Sequence, residues 1–578
     1  METWQQRFKS ARGYTSFRPL RLALCAKTVA NLAVCSIRPG LSISLGANMS
    51  SAVYDSMNRV WKSTCKVLFG QEAGELSHCA EWLSSYNEQL RLENSAISGK
   101  QVALSQNGYA KSAKFLAFDE VDFEKRFEPL SINEIKDIDS LLGAISERSF
   151  YVGNVILGKS SNVQNSSNVV DSHFVLDSIM VTGSKYIGYS TYVGMGEYCF
   201  GLYGSEKVTH AVKCMGSELT RCFECHMGEL TSDCYYCAKA QNCQECMFCF
   251  GTENQSFMIG NTKLPRDKYL SLKKKLLQEM AGTIKKQGKA FSLLELIEKA
   301  GKHRPDSRLK FKLEKEKPFN AKPIEQAFSK TAGLLFGREL AGLEDYSGFL
   351  QKHVPKNITT KSPLTGNMVV ACGYRTQLLK RYGLGNRIAT DDELREIGRI
   401  GVGIPEAEKM AFDIGKASEI LHPIAYTNLD KVFGKINNCK DASVNINSQD
   451  CLSGSAYIRS RKCSHCFWPS DDEAAFGCSA THFSTFCINC YYSKGMMRAF
   501  ECDGCNGCSD VYFLHNCENL QNSMFCFNIR NKHYAIGNSV LPADQYKKVK
   551  QALVGQMAQE LEAKKSLKWD IFNVGGRK

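Results

Sequence analysis

Proline is scarce in this 578-residue chain, 13 residues against 45 glycines, which excludes a collagen-like or proline-rich rod. No run long enough to cross a bilayer is both apolar and uncharged, so no membrane-spanning helix is expected. The sequence contains no G-x-S-x-G elbow, no phosphate-binding glycine loop and no H-E-x-x-H pair, which removes the commonest signatures of hydrolases, nucleotide enzymes and zinc proteases. No secretory signal is read, which predicts a reducing compartment and a cytoplasmic location. Wholesale disorder is excluded by 43% hydrophobic and 23% charged residues.

Acids are almost missing from residues 1–48, where Arg7, Lys9, Arg12, Arg18, Arg21, Lys27 and Arg38 face only Glu2. That stretch reads as an organellar transit peptide or as an extension ahead of Met49. A second basic zone, 263–322, holds 18 Lys/Arg and 7 Asp/Glu. Its Lys273, Lys274, Lys275, Lys285, Lys286, Arg304 and Arg308 are candidate anion-binding residues, and through them nucleic acid is a candidate partner. The alternative is a solvated helix face followed by a charged linker.

The chain repeats itself. Met247-Phe-Cys-Phe250, Ile259-Gly-Asn261 and Leu264-Pro-Arg-Asp-Lys-Tyr269 return, in the same order and with the same spacing, as Met524-Phe-Cys-Phe527, Ile536-Gly-Asn538 and Leu541-Pro-Ala-Asp-Gln-Tyr546. Each Leu-Pro predicts a proline in the first turn of a helix with apolar positions at helical spacing, Tyr269, Leu272, Leu276, Leu277 and Met280 in one, Tyr546, Val549, Leu553 and Met557 in the other. Ser98-Gly-Lys-Gln-Val102 and Thr365-Gly-Asn-Met-Val369 read as tight turns between short strands. Capping boxes, Ser131-x-x-Glu134 and Thr390-x-x-Glu393, predict the helix starts that follow. The order of turn, helix, cysteine-rich region and closing helix therefore occurs twice, as in a tandem duplication.

The 26 cysteines carry the strongest pattern. Cys439, Cys451, Cys463, Cys466, Cys478, Cys487, Cys490, Cys502, Cys505, Cys508, Cys517 and Cys526 are all separated by multiples of three, as are Cys222, Cys225, Cys234, Cys237, Cys243, Cys246 and Cys249. An interval of twelve recurs in both sets. Ahead of the first set the same three-residue period is kept by Val163, Ser166, Val169, Ser172, Val175, Ser178, Val181 and Ser184. Neither a strand nor a helix has this period. A narrow β-solenoid with about 12 residues per coil does, if every third side chain points inward and only small residues fit. The phase breaks between Cys214 and Cys222, which predicts a bulge or protruding loop near 215–221. A left-handed hexapeptide helix of the transferase type is the competing architecture.

Three readings of the thiols stay open: small buried hydrophobes, ligands of zinc or an iron–sulfur cluster, or disulfides up a column. Candidate metal ligands are the seven cysteines from Cys222 to Cys249 named above, with Cys463, Cys466, Cys487, Cys490, Cys502, Cys505 and Cys508. His226 and His465, beside cysteines, are expected to be surface histidines.

Asn242-Cys-Gln-Glu-Cys-Met-Phe-Cys-Phe-Gly251, with Cys526-Phe-Asn-Ile-Arg-Asn-Lys-His-Tyr-Ala-Ile-Gly-Asn538 and Leu541-Pro-Ala-Asp-Gln-Tyr546, resembles a group of cysteine-rich repeat proteins predicted from genomes of small archaea and candidate-phylum bacteria. Its members are similar in running N-C-x-x-C units into an L-R-N-K-x-Y-x-I-x-N tail. The resemblance implies repeat architecture and no activity. The expected organisation is an extension (1–48), a helical module with a hairpin (49–150), a cysteine/serine/valine β-solenoid (151–255), a capping helix and basic linker (256–322), a second helical module (323–435), a second β-solenoid (436–530) and a capping helix (531–578). The expected function is a non-catalytic scaffold that presents its faces to a protein partner. Alternatives are a zinc-dependent nucleic-acid or ribosome-associated binder and a hexapeptide-type transferase.

Overall fold

The computed structural model describes residues 52–576 except 88–90, 105–107, 132, 134, 302–308, 310, 312–317, 373–377, 379–380, 404–411, 429 and 431. The basic N-terminal stretch, Arg304, Arg308 and Glu134 lie outside the described residues. The chain is mixed α/β, and two sheets of 15 and 11 strands dominate it. No described helix is long and apolar enough to cross a membrane.

In both sheets neighbouring strands are parallel up to a closing antiparallel turn, and along most of each sheet a residue pairs with the one twelve further on. Ser161, His173, Lys185, Glu197 and Thr209 form one such series, and Asn437, Gln449, Arg461, Glu473, Thr485, Met497, Ser509 and Gln521 another. The interval read from the cysteines is thus the register of the backbone, and we call the two stacks the first and second ladder. Each opens on an offset of thirteen, Ile156 with Val169 and Val432 with Asn445. The first ladder has one shortened step. Thr209 pairs with Thr220 and Met215 with His226, eleven apart, before a register shift at Gly216 restores twelve. The expected bulge is there. The expected protruding loop is not, because one residue is deleted from the return and 215–223 runs on as a nine-residue strand.

Both ladders end alike. Thr262–Lys263 turns back antiparallel on Ser256–Ile259, and Ser539–Val540 on Ala535–Ile536. The Ile-Gly-Asn motif makes this stop. Asn261 accepts from the Phe250 N–H at 2.8 Å and donates to its carbonyl at 2.9 Å, and Asn538 treats Phe527 in the same way at 2.9 and 2.8 Å. A side-chain amide thereby replaces the next strand and satisfies an edge that would otherwise invite pairing.

Helices α1 (Ala52–Phe69), α2 (Leu76–Ser84) and α3 (Ile138–Ile145) precede the first ladder, and α4 (Arg266–Gln287) and α5 (Leu293–Ala300) follow it. Helices α6 (Lys322–Phe336), α7 (Asp391–Ile397) and α8 (Ile414–Leu421) precede the second, which α9 (Ala543–Lys564) follows. Thr390 caps α7 through the expected box with Glu393. In the first module α3 starts after Asp137, whose carboxylate accepts from the Ser140 N–H, and the expected box at Ser131 rests on Glu134, outside the described residues. Pro265 and Pro542 sit at the N-cap, one residue before the first helical turn. The Ser98 and Thr365 turns join antiparallel strands as read.

Helix α1 lies along the first ladder and α6 along the second through matching contacts. Trp61 meets Phe200 edge-on at 5.2 Å and Phe328 meets Phe476 at 5.2 Å. The hydroxyls of Tyr235 and Tyr512 donate to the carbonyls of Leu68 and Leu335 at 2.8 and 2.6 Å. The ends, by contrast, are exchanged. The last return of the first ladder packs on the second module, with the Val402 N–H donating to Gly260 O at 2.9 Å and Asn261 to Ile397 O at 3.2 Å. The last return of the second ladder packs on the first module, with Arg148 donating to Gly537 O at 2.9 Å and Asn528 to Phe150 O at 2.9 Å. A Cβ at Gly260 or Gly537, both at positive φ, would overlap Val402 or Ile145. One apolar core therefore runs through both halves.

Candidate functional site

The cysteine-lined positions come first. Along both ladders the residue before each inward position has φ near +50°, including Asn168, Asn242, Asn438, Asn489 and Asn516. That left-handed conformation costs an ordinary L-residue about 1 kcal/mol or more and asparagine less. The Asn-Cys pairs of the repeat are thus a backbone requirement followed by an inward side chain.

Inward side chains form two apolar clusters separate from the main core, one per ladder. Their hydroxyls and thiols share one geometry. Ser172 donates to the carbonyls two residues back and nine ahead, Val170 at 2.8 Å and Val181 at 3.3 Å. Thr231 does so to Glu229 and Ala240, each at 3.0 Å. Cys199 reaches Glu197 O at 3.1 Å and Val208 O at 3.4 Å, and Cys466 reaches Ser464 O at 3.2 Å and Ala475 O at 3.3 Å. Serine also accepts from the N–H twelve residues on, as Ser172 does from Ser184 at 3.0 Å. Where the inward residue is Ser, Thr or Cys it therefore finds the same acceptors, and Val, Ile, Leu and Ala fill the other inward positions.

The fourteen metal candidates occupy such positions. The Cys225 thiol touches those of Cys214, Cys222 and Cys237, and Cys490 those of Cys478, Cys487 and Cys502. Among the described residues no group of three or more His, Cys, Asp or Glu is arranged to hold a metal ion, and no disulfide is formed. Burial pushes the Cys508 thiol up to about 12 and that of Cys463 well above the ordinary range. A neutral S–H bonded to carbonyls is what such surroundings favour.

His226 and His465 are not on the surface. They are 0% and 2% exposed. They point away from the inward column and are nevertheless covered, His226 by the Tyr86 ring at 5.2 Å. In the basic zone Lys274, Lys275, Lys285 and Lys286 are exposed along α4, while Lys273 is half-buried and pairs with Glu245 at 2.7 Å.

Two buried carboxylates escaped the sequence reading. Glu224 and Glu501, at equivalent positions of the two halves and both 0% exposed, each accept a backbone N–H from the segment following the closing helix: Leu293 to Glu224 at 3.0 Å and Ile571 to Glu501 at 2.9 Å. Tyr86 also donates to Glu224 at 2.7 Å. Beside Glu224, Lys213 is fully buried, donates to Trp82 O at 3.0 Å and to Ser85 Oγ at 2.6 Å, and stands 3.3 Å from the centroid of the Tyr86 ring. Burial lowers its ammonium to about 7, against the pull of Glu224. The second half has Asn489 in place of that lysine, donating to Glu501 at 2.9 Å. Burial, with Asp570 nearby, raises Glu501 to about 8. The only sequence signal was the recurrence of a glutamate at the repeat interval among apolar neighbours.

Two concavities lie on the ladders. A 310 Å³ cleft at the mouth of the first is lined by Lys100, Asp119, Asn154, Val163 and Asn165 among others. A 140 Å³ groove between the ladders is lined by Tyr192, Met227, Ile446, Ile458, Phe467 and Trp468 over a floor that includes Gly204, Gly216 and Gly228. The groove is well below the size of pockets that enclose metabolite-sized ligands, and has room for a side chain or two. Comparison with family models, curated proteins and solved structures finds no match.

Proposed function

We propose that the two ladders are tandem narrow β-solenoids, each closed by its own helix and by the other half's module, and that the protein is a non-catalytic scaffold for a protein partner. The observation that carries this reading is the use made of the interior donors. Serine, threonine and cysteine side chains that would serve chemistry elsewhere are consumed by carbonyls of their own return and the next. An apolar groove of side-chain size lies between the ladders, where Ile446, Ile458 and Trp468 are half-buried. The twelve-residue register speaks against a return of three hexapeptides and so against the transferase.

The test is a photo-crosslinking residue placed at Ile458 in the full chain inside its native cell. A discrete protein adduct that disappears with I446E supports the reading. Adducts that are absent, or insensitive to I446E, overturn it.

A further inference from the structure

The mouths of the two ladders differ at the inward position. Where the first carries Val163, paired in register with Val175, the second carries Cys439, paired with Cys451 and through it with Cys463. Among the described cysteines Cys439 alone is not buried. Adjacent strands stand about 4.8 Å apart, inside the span of about 4.4–6.8 Å between Cα atoms that a disulfide bridges. The two thiols are already in hydrogen-bonding contact. Asn438 fixes the local backbone, accepting from the Asn320 N–H at 2.8 Å and donating to Asp450 at 2.6 Å.

We propose that Cys439 and Cys451 form a peroxide-responsive dithiol at the mouth of the second ladder, Cys439 as the reacting sulfur and Cys451 as its resolving partner. The Cys439 thiolate attacks one oxygen of hydrogen peroxide. The O–O bond breaks, the departing hydroxide takes up the thiol's proton as water, and a sulfenic acid remains. The Cys451 sulfur then attacks the Cys439 sulfur. The S–O bond breaks, the hydroxide leaves with the Cys451 proton as a second water, and a disulfide results. Two thiols lose two electrons and one peroxide gains them. The Cys451 hydrogen bond holds the Cys439 thiol below its ordinary range although burial and the Asp450 carboxylate push it up, which raises the thiolate fraction at the exposed end of the column. The deeper described thiols are buried, out of reach of peroxide in solution.

The full chain, reduced and then given one equivalent of hydrogen peroxide, is digested under thiol-blocking conditions and mapped by mass. The first disulfide is expected between Cys439 and Cys451. In C451S, a cyclic 1,3-diketone should label Cys439 as the trapped sulfenic acid. C439V, which copies the first ladder's mouth, should slow thiol loss about tenfold or more. A first oxidation at any other cysteine, an unlabelled Cys439 in C451S, or an unchanged rate in C439V would each overturn the proposal.

Discussion

The two halves anchor the same segment with the same residue and neutralise it differently. Glu224 and Glu501 both hold the N–H of a chain that leaves the closing helix. In the first half the carboxylate shares its buried site with the Lys213 ammonium, and in the second it faces the neutral amide of Asn489. A duplicated backbone thus keeps the hydrogen bond that positions the segment, while the charge balance is free to diverge. The consequence is opposite pH behaviour. Glu501 has a folded-state value near 8 against an ordinary 4.5, so the folded state binds more protons between those limits and loses stability as pH rises through them. Lys213, lowered from 10.5 to about 7, makes the folded state bind fewer protons in that window, so its contribution grows as pH rises from about 7 and is lost as pH falls.

The largest expected effect comes from making the first site like the second. K213N strips Trp82 O and Ser85 Oγ of their buried donor and leaves His226, 3.5 Å away, facing Glu224, and should cost about 3 kcal/mol in denaturant unfolding at neutral pH. A cost below about 1 kcal/mol would mean that the two sites are equivalent after all. Next, G260A and G537A should each lose about 1–3 kcal/mol, since both add a Cβ at positive φ against the opposite module. A loss in only one would break the reciprocal packing of the ends. E501Q should then flatten the fall in stability between pH 4.5 and 8, a slope of at most about 1.4 kcal/mol per pH unit, and leave the rise due to Lys213 in place.

Smaller effects compare the ladder interiors. Asp472 takes an inward position in the serine column, accepting from Ser484 N at 2.8 Å and bonded to Thr481 Oγ1 at 2.5 Å, and burial raises its carboxyl well above the ordinary range. D472N should change stability by less than about 1 kcal/mol at pH 7 and remove a decline toward alkaline pH. Smallest of all, C466S in the second ladder should cost under about 1 kcal/mol, because serine keeps the donor geometry that Ser172 shows in the first.

How much of this could be read in advance follows from what a sequence encodes locally. The three-residue phase and the twelve-residue interval are dictated by the inward positions, so Cys439, Cys451 and Cys463 predicted the register that pairs them. The closing helices and the Thr390 cap were legible because their signals span a few residues. The start of α3 was not, since Asp137 with Ser140 competed with an equally good pattern at Ser131. Burial of His226 and His465, the exchange of modules at the ladder ends and the two anchoring glutamates depend on contacts between residues far apart in the chain, such as Arg148 with Gly537. No local pattern specifies those. Spacing alone also suggested metal ligands at Cys-x-x-Cys pairs, whereas a period of three produces such pairs for purely geometric reasons.

The buried ladder cysteines are, on this account, protonated thiols donating to backbone carbonyls. Raman spectroscopy of the purified, unreduced protein reads the S–H stretch directly, in a window free of other protein bands. The account predicts an intense S–H band shifted to low frequency by hydrogen bonding, which moves to the free-thiol position on unfolding. A native spectrum with little S–H intensity, because the sulfurs are thiolates on metal or are joined in disulfides, would contradict it.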